Sequence, residues 1–144
     1  MWKVSIDGGD PTRLTDRQSV YPAISPDGKF IACMSPDEKA NLRWQIAVVP
    51  FEGGQAVKLL ETPSTTLRDC WLKWSPDGRS IMYVDRHGYV GNIYSQPIDG
   101  GPAKALTNFR SDSIAAFNWT RDGKQLIIGR GPEIDDVVLI RDFH

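Results

Sequence analysis

Four sets of charged side chains are the groups in this chain best placed by type and spacing to do chemistry: Arg68 with Asp69, Asp85 with Arg86 and His87, Arg110 with Asp112, and Glu133 with Asp135 and Asp136. Mixed charges in loops can orient a peptide or a small ligand, and several carboxylates close together can hold a hard cation through oxygen. The spacing of Glu133, Asp135 and Asp136 is not that of a calcium loop, so the expected reading there is a solvated loop and no metal is assigned. His87 is the only histidine besides the terminal His144, which leaves almost no imidazole for metal or base chemistry. A nucleophile elbow of the form Gly-x-Ser-x-Gly is missing: the nearest match, "GRSIM" at Gly78 to Met82, fails at its last position. No phosphate-cradling glycine loop and no kinase catalytic motif occurs. The expectation is a chain with no catalytic residue, no cofactor and no metal. Its candidate ligand-binding face comprises Arg68, Asp69, Asp85, Arg86, His87, Arg110 and Asp112.

Composition narrows the partners of such a face. The 144 residues suit one domain, and 17 Lys and Arg against 18 Asp and Glu give a formal charge of -1. Basic residues form no run or stripe, which argues against a nucleic-acid partner. No segment reaches the ~18 apolar residues of a membrane helix. The start, "MWKVSIDGGD", lacks the apolar stretch of a secretion signal, and compartment stays open. Cys33 and Cys70 lie in apolar surroundings without the close pairing of a zinc or redox motif, so buried thiols are expected.

The charged sets must be positioned by something, and the chain repeats itself in doing so. "ISPDGKFIA" at Ile24 to Ala32 returns as "WSPDGRSIM" at Trp74 to Met82 and as "WTRDGKQLI" at Trp119 to Ile127. Proline presets the first corner of a type I turn, Asp favours the second, and glycine takes the left-handed conformation that follows. Arg121 replaces the proline in the third copy, which loosens the preset without forbidding the turn. Strands are expected on both sides. Val20/Pro22/Ile24, Cys70/Leu72/Trp74 and Ala115/Phe117/Trp119 share one face under the two-residue period. The opposite face carries Tyr21, Trp71 and Ala116, so both faces are expected to be covered. Trp71, Trp74 and Trp119 are expected to pack between sheets.

A second repeat interleaves with the first: "SIDGGDPTRLT" at Ser5, "PFEGGQAVKLL" at Pro50 and "PIDGGPAKALT" at Pro97. Each joins an apolar strand to a short one through an acidic residue and a glycine pair, again a hairpin signal. The glycine pairs recur at spacings of 45 and 47 residues and the Asp-Gly turns at 50 and 45. Four antiparallel strands every ~40–50 residues is the pattern of a propeller blade. Here "SPDGK" and "SPDGR", each before an apolar strand and an acidic-Gly-Gly turn, resemble the TolB-like β-propeller repeat, a WD-repeat-like family, over nearly the whole chain. The expected fold class is all-β, with about three blades of four antiparallel strands in a partial ring.

Lettering strands a to d outward from the ring axis, residues 1–15 supply strands c and d, 16–60 one blade, 61–107 a second, and 108–144 an incomplete third. The ending "DVVLIRDF" reads as its strand c. Closing three blades would demand about 120° per blade, against about 45–90° in rings of eight to four. The expectation is therefore a segment of a longer propeller, or a homo-oligomer completing a six-bladed ring in which Thr12 to Thr15 extend the sheet of Asp136 to Phe143 of another copy. The tight a–b and c–d turns must share one face of the ring. Longer connections, "SPDEKANLR", "ETPSTTLRD", "DRHGY", "NFRSDS" and "RGPEIDD", fall on the other, which is the likelier seat of recognition on a rigid scaffold.

The resemblance implies a non-catalytic module that binds a protein or peptide, in an extracytoplasmic setting. "DVVLIRDF" also resembles the end of TolB-like domains attached to bacterial serine/threonine kinases. An alternative implied by the same repeat is the propeller that gates the active site of prolyl-oligopeptidase-like serine peptidases. A small propeller hydrolase using pore carboxylates is a further, weaker option.

Overall fold

The computed structural model describes residues 1–37, 43–62 and 71–132. Among them every regular element is a strand, and no helix is long and apolar enough to cross a membrane. β1 (Trp2–Lys3) pairs with β2 (Thr12–Arg13) as a two-stranded sheet. β3 (Val20–Ile24), β4 (Phe30–Pro36), β5 (Trp44–Pro50) and β6 (Lys58–Glu61) form a four-stranded antiparallel sheet in chain order. β7 (Lys73–Trp74), β8 (Ser80–His87), β9 (Val90–Pro97) and β10 (Lys104–Ala105) form the next, and β11 (Ser113–Trp119) with β12 (Leu126–Gly131) the last pair.

Each a–b turn is built from its own polar side chains. Ser25 Oγ donates to Asp27 Oδ1 at 2.6 Å, the same carboxylate oxygen accepts the Lys29 amide at 3.1 Å, and Ser25 Oγ accepts the Phe30 amide at 2.9 Å. Ser75/Asp77 and Thr120/Asp122 repeat the pattern. The hydroxyls, and then the backbone amides, hold the Asp27, Asp77 and Asp122 carboxyls below the usual carboxylate range. Gly28, Gly78 and Gly123 take φ of 72°, 69° and 69°, which the turn requires of its closing residue.

The sheets then stack face to face. Ala32, Met34, Ile46, Val48 and Leu60 of the first four-stranded sheet meet Leu72, Trp74, Ile81 and Tyr83 of the second in one apolar layer. The other face of β8 sends Met82 and Val84, with Ile93, against Ile114 and Phe117 of β11. On the opposite flank Leu14 packs on Ile31 and Val49. Odd and even positions of β4 and β8 thus serve different layers, which is why "FIACM" and "SIMYV" are continuous apolar runs and not alternating ones. Cys33 lies fully buried in β4, and its burial raises the thiol pKa.

Directed contacts fix the stacking. The Trp74 indole donates to the carbonyl of Ala23, one sheet back, at 2.9 Å, and the Trp119 indole donates to the carbonyl of Trp74 at 3.1 Å. The turns interlock as well: a Cβ added to Gly123 would meet Pro76 at 2.9 Å, and one added to Gly78 would lie 3.8 Å from Pro26. Proline of one copy therefore seats glycine of the next. Arg121, standing where that proline would be in the third copy, has no further turn to seat among the described residues.

Two expectations about the innermost strands fail. Register shifts between Val20 and Ala23 and between Ile114 and Ala116 break the two-residue period in β3 and β11. Ile24 is consequently 59% exposed, while Val20, Tyr21 and Ala23 pack inward, and on β11 it is Ile114, Phe117 and Trp119 that share the buried face. Nor is the opposite face covered: Trp71 is 50% exposed, and Ala116 is also exposed.

Candidate functional site

One of the connections expected on the recognition face is not a long loop, while most of "SPDEKANLR", "ETPSTTLRD" and "RGPEIDD" lies outside the described residues. Asp85, Arg86 and His87 lie on β8, which runs through His87, and only Gly88 and Tyr89 separate it from β9. The "DRHGY" connection is thus a tight hairpin. Asp85 and His87 point to the same face of the strand, so the carboxylate that was expected on a solvated loop is 5% exposed, with His87 Nε2 3.5 Å from its Oδ2. The His87 side chain itself is 80% exposed. A carboxylate oriented on an imidazole is two-thirds of a hydrolytic triad, but among the described residues no hydroxyl or thiol is hydrogen-bonded to His87.

Asp112 adopts φ of 63° and turns its chain into β11, and its carbonyl accepts the Gly91 amide at 3.2 Å. That bond brings it to the β8–β9 hairpin, because Gly91 is the register partner of Arg86. Its carboxylate faces Arg130 at 3.4 Å. The Arg130 guanidinium also donates to the Ser111 carbonyl and lies 3.9 Å over the Phe109 ring. Arg110 is exposed and outside this cluster. Arg68, Asp69, Glu133, Asp135 and Asp136, with Cys70 and the strand expected in "DVVLIRDF", lie outside the described residues. Within the described residues no group of three or more His, Cys, Asp or Glu converges in a way that would hold a metal ion.

Sequence reasoning missed Asn92 and Arg130. Asn92 Oδ1 accepts the Phe109 amide at 2.7 Å and the Thr107 hydroxyl at 3.0 Å, while its amide donates to the Phe109 carbonyl at 3.2 Å. One side chain on β9 thereby clamps the link from β10 to β11. No pattern in the repeat flags it; only Thr107, recurring as Thr15 in "RLT" and "ALT", offered a signal.

A groove along the innermost strands was missed too. It has lobes of about 640 and 380 Å³ that share Trp71, Lys73 and Asn118. Tyr21 lines the larger lobe with its ring 6.1 Å from that of Trp71.

Stacked four-stranded antiparallel sheets in an arc that does not close define a run of β-propeller blades. A solved structure, a putative TolB from Agrobacterium tumefaciens, superposes with a TM-score of 0.68 and 26% identity over 88% of this chain and 45% of that one. The fold is that of TolB-like propellers, as the repeat implied. No protein-family model matches the chain. Relatives by sequence include the uncharacterized peptidase YuxL of Bacillus subtilis, 27% identical over 129 residues, or 90% of this chain and 18% of that one. Tricorn protease homolog 1 of Streptomyces coelicolor is 28% identical over 72% of this chain and 9% of that one. TolB of Albidiferax ferrireducens is 27% identical over 67% and 22% respectively. The chain therefore spans less than a quarter of the length of each of these relatives and under half of the solved TolB chain.

Proposed function

We propose that the chain is a non-catalytic propeller module that binds a protein or peptide, working within a larger bacterial protein or with its ring completed by another copy. One observation carries this reading: the carboxylates that recur with the repeat are spent on the fold. Asp27, Asp77 and Asp122 each close their own turn through a hydroxyl and an amide. What remains at the hairpin end is an Asp85–His87 pair with no nucleophile bonded to it among the described residues, beside a guanidinium that packs on an aromatic ring.

A second reading, the substrate-gating propeller of a serine peptidase, is favoured by the two relatives named as a peptidase and a protease. In each of them most of the polypeptide lies beyond the matched stretch, leaving room for a hydrolase domain. The complete reading frame separates the two readings. A hydrolase domain carrying a Gly-x-Ser-x-Gly elbow selects the gate. A kinase domain and membrane span upstream select the docking segment that the "DVVLIRDF" ending resembles. Incubating the 144-residue chain with fluorogenic peptide and ester substrates tests the non-catalytic claim, which predicts no turnover; hydrolysis abolished by His87→Ala would overturn it.

A further inference from the structure

The outermost strand of each sheet offers a leucine to the sheet that follows it. Leu14, beside β2, packs on Ile31 and Val49, and Leu60 of β6, opposite Ile46, is buried in the layer shared with the second four-stranded sheet. Leu106 holds the same place just beyond β10, its amide bonded to the carbonyl of Ile93, the repeat's match for Ile46. Yet Leu106 is 47% exposed. The sheet that follows it has only β11 and β12 among the described residues, so the two outer strands that would cover this leucine are not among them.

Two outer strands without inner ones stand at the other end of the arc. Among the described residues β1 and β2 pair only with each other, and the repeat aligns β1 with β5 and β9, the third strands of the complete sheets. Met1 packs beside Ile31 and Val49, and Lys3 reaches Glu52 and the Phe51 ring, so this face of β1 belongs to the sheet that follows it. Trp2 and Val4 point the other way and are 63% and 62% exposed. Val4 is the match of Val49, the residue that covers Leu14.

The register between second and third strands is the same in both complete sheets. Ile31 opposes Val49 and Ile81 opposes Gln96, while Ala32 opposes Val48 and Met82 opposes Ser95. Carried to β12 and β1 through the aligned glycines, it sets Leu126 opposite Val4, Ile127 opposite Lys3 and Ile128 opposite Trp2. Leu126 and Ile128 already pack toward the second four-stranded sheet, so a β1 seated beside them brings Val4 onto Leu106 as Val49 sits on Leu14. Ile127 then takes the place that Ala32 and Met82 hold against Trp74 and Trp119, and the residue at the tryptophan position of the next sheet is Ile24. The exposed isoleucines of the two open ends thus cover each other.

Building on the reading of a module completed by another copy, we propose that two copies exchange their β1–β2 hairpins, each hairpin docking on β12 of the other as strands c and d of a shared blade. Exchange of an identical element is a low-cost route to a dimer. The pair then holds four complete sheets and two shared ones, six blades at about 60° each, inside the range of closed rings.

Disulfide trapping between two differently tagged chains, both carrying Cys70→Ser, tests this. A Lys3→Cys chain and an Ile127→Cys chain should join on mild oxidation in several-fold higher yield than Trp2→Cys with Ile127→Cys, whose thiols would point to opposite faces of the sheet. Ile127 is exposed and Lys3 partly so in the single chain, so neither change threatens its fold. Val4→Asp, also at an exposed site, should weaken association about tenfold or more by burying a charge in the shared blade. Equal yields from the matched and mismatched pairs, or association indifferent to Val4→Asp, would overturn the exchange and leave the module reading intact. No bridge at all, as when another segment holds the edge of β12, overturns it as well. The module reading falls separately, on turnover by the chain.

Discussion

A single carboxylate oxygen closes each a–b turn, and pH exposes that dependence. Asp27, Asp77 and Asp122 have folded-state pKa values lowered chiefly by Ser25, Ser75 and Thr120. Their contribution is therefore complete above the ordinary aspartate value of about 4 and is lost as pH falls through the lowered values. Urea midpoints of the native chain should fall steeply below about pH 4, and the Asp27→Asn/Asp77→Asn/Asp122→Asn chain should show a lower midpoint at pH 7 but a shallower acid slope. Equal slopes would show that these turns do not carry the acid sensitivity. The glycines of the same turns should differ among themselves. Gly28→Ala meets nothing within 4 Å and should cost only the left-handed penalty of about 1–2 kcal/mol. Gly123→Ala adds a 2.9 Å approach to both Cβ and Cγ of Pro76 and should cost more, with Pro76→Gly, which removes both carbons, recovering the excess in a double-mutant cycle.

Strands and their partners were legible because the repeat prints each blade more than once, and a run such as "FIACM" has only one use, a strand covered on both faces. Local departures were not legible. The register shifts at Val20–Ala23 and Ile114–Ala116 insert an odd step that no residue type announces, so the face assigned to β3 was wrong and that of β11 was right at Phe117 and Trp119 but wrong at Ala115, although the strands were right. Asp85 to His87 read as loop because of their charge, yet Gly88 and Tyr89 suffice for the turn, and the strand pairing carries Asp85 inward. Of the candidate site, the sequence showed which charged groups existed but not that Arg130 reaches Asp112 across β11 and β12. Asn92 illustrates what such silence hides. Asn92→Ala removes three hydrogen bonds and leaves the Phe109 amide without its side-chain acceptor, a loss of about 1–3 kcal/mol. Hydrogen exchange at Phe109 should accelerate in that chain before exchange in β8 does; uniform acceleration would place the residue in the global core instead.

The arc as a whole is held by terms that repeat from sheet to sheet. Trp74→Phe and Trp119→Phe each remove an indole donor to the preceding sheet and should each lower stability by about 1–2 kcal/mol in urea unfolding. No change in either would mean that apolar packing alone sets the stacking. The same rule shows what is unfinished. Ile24 stands at the tryptophan position of the first copy with no donor to offer, and among the described residues β1 pairs only with β2 and β12 only with β11. Unpaired edges and apolar blade faces such as that of Ile127 are surfaces chains normally cover. The central claim is that the open ends of this arc do not stay bare, so that the chain by itself covers them with another copy, and static light scattering on the purified chain across a concentration series tests it most directly. A mass of at least twice 16.1 kDa is the expected result. A monodisperse species of 16.1 kDa persisting at high concentration would contradict it.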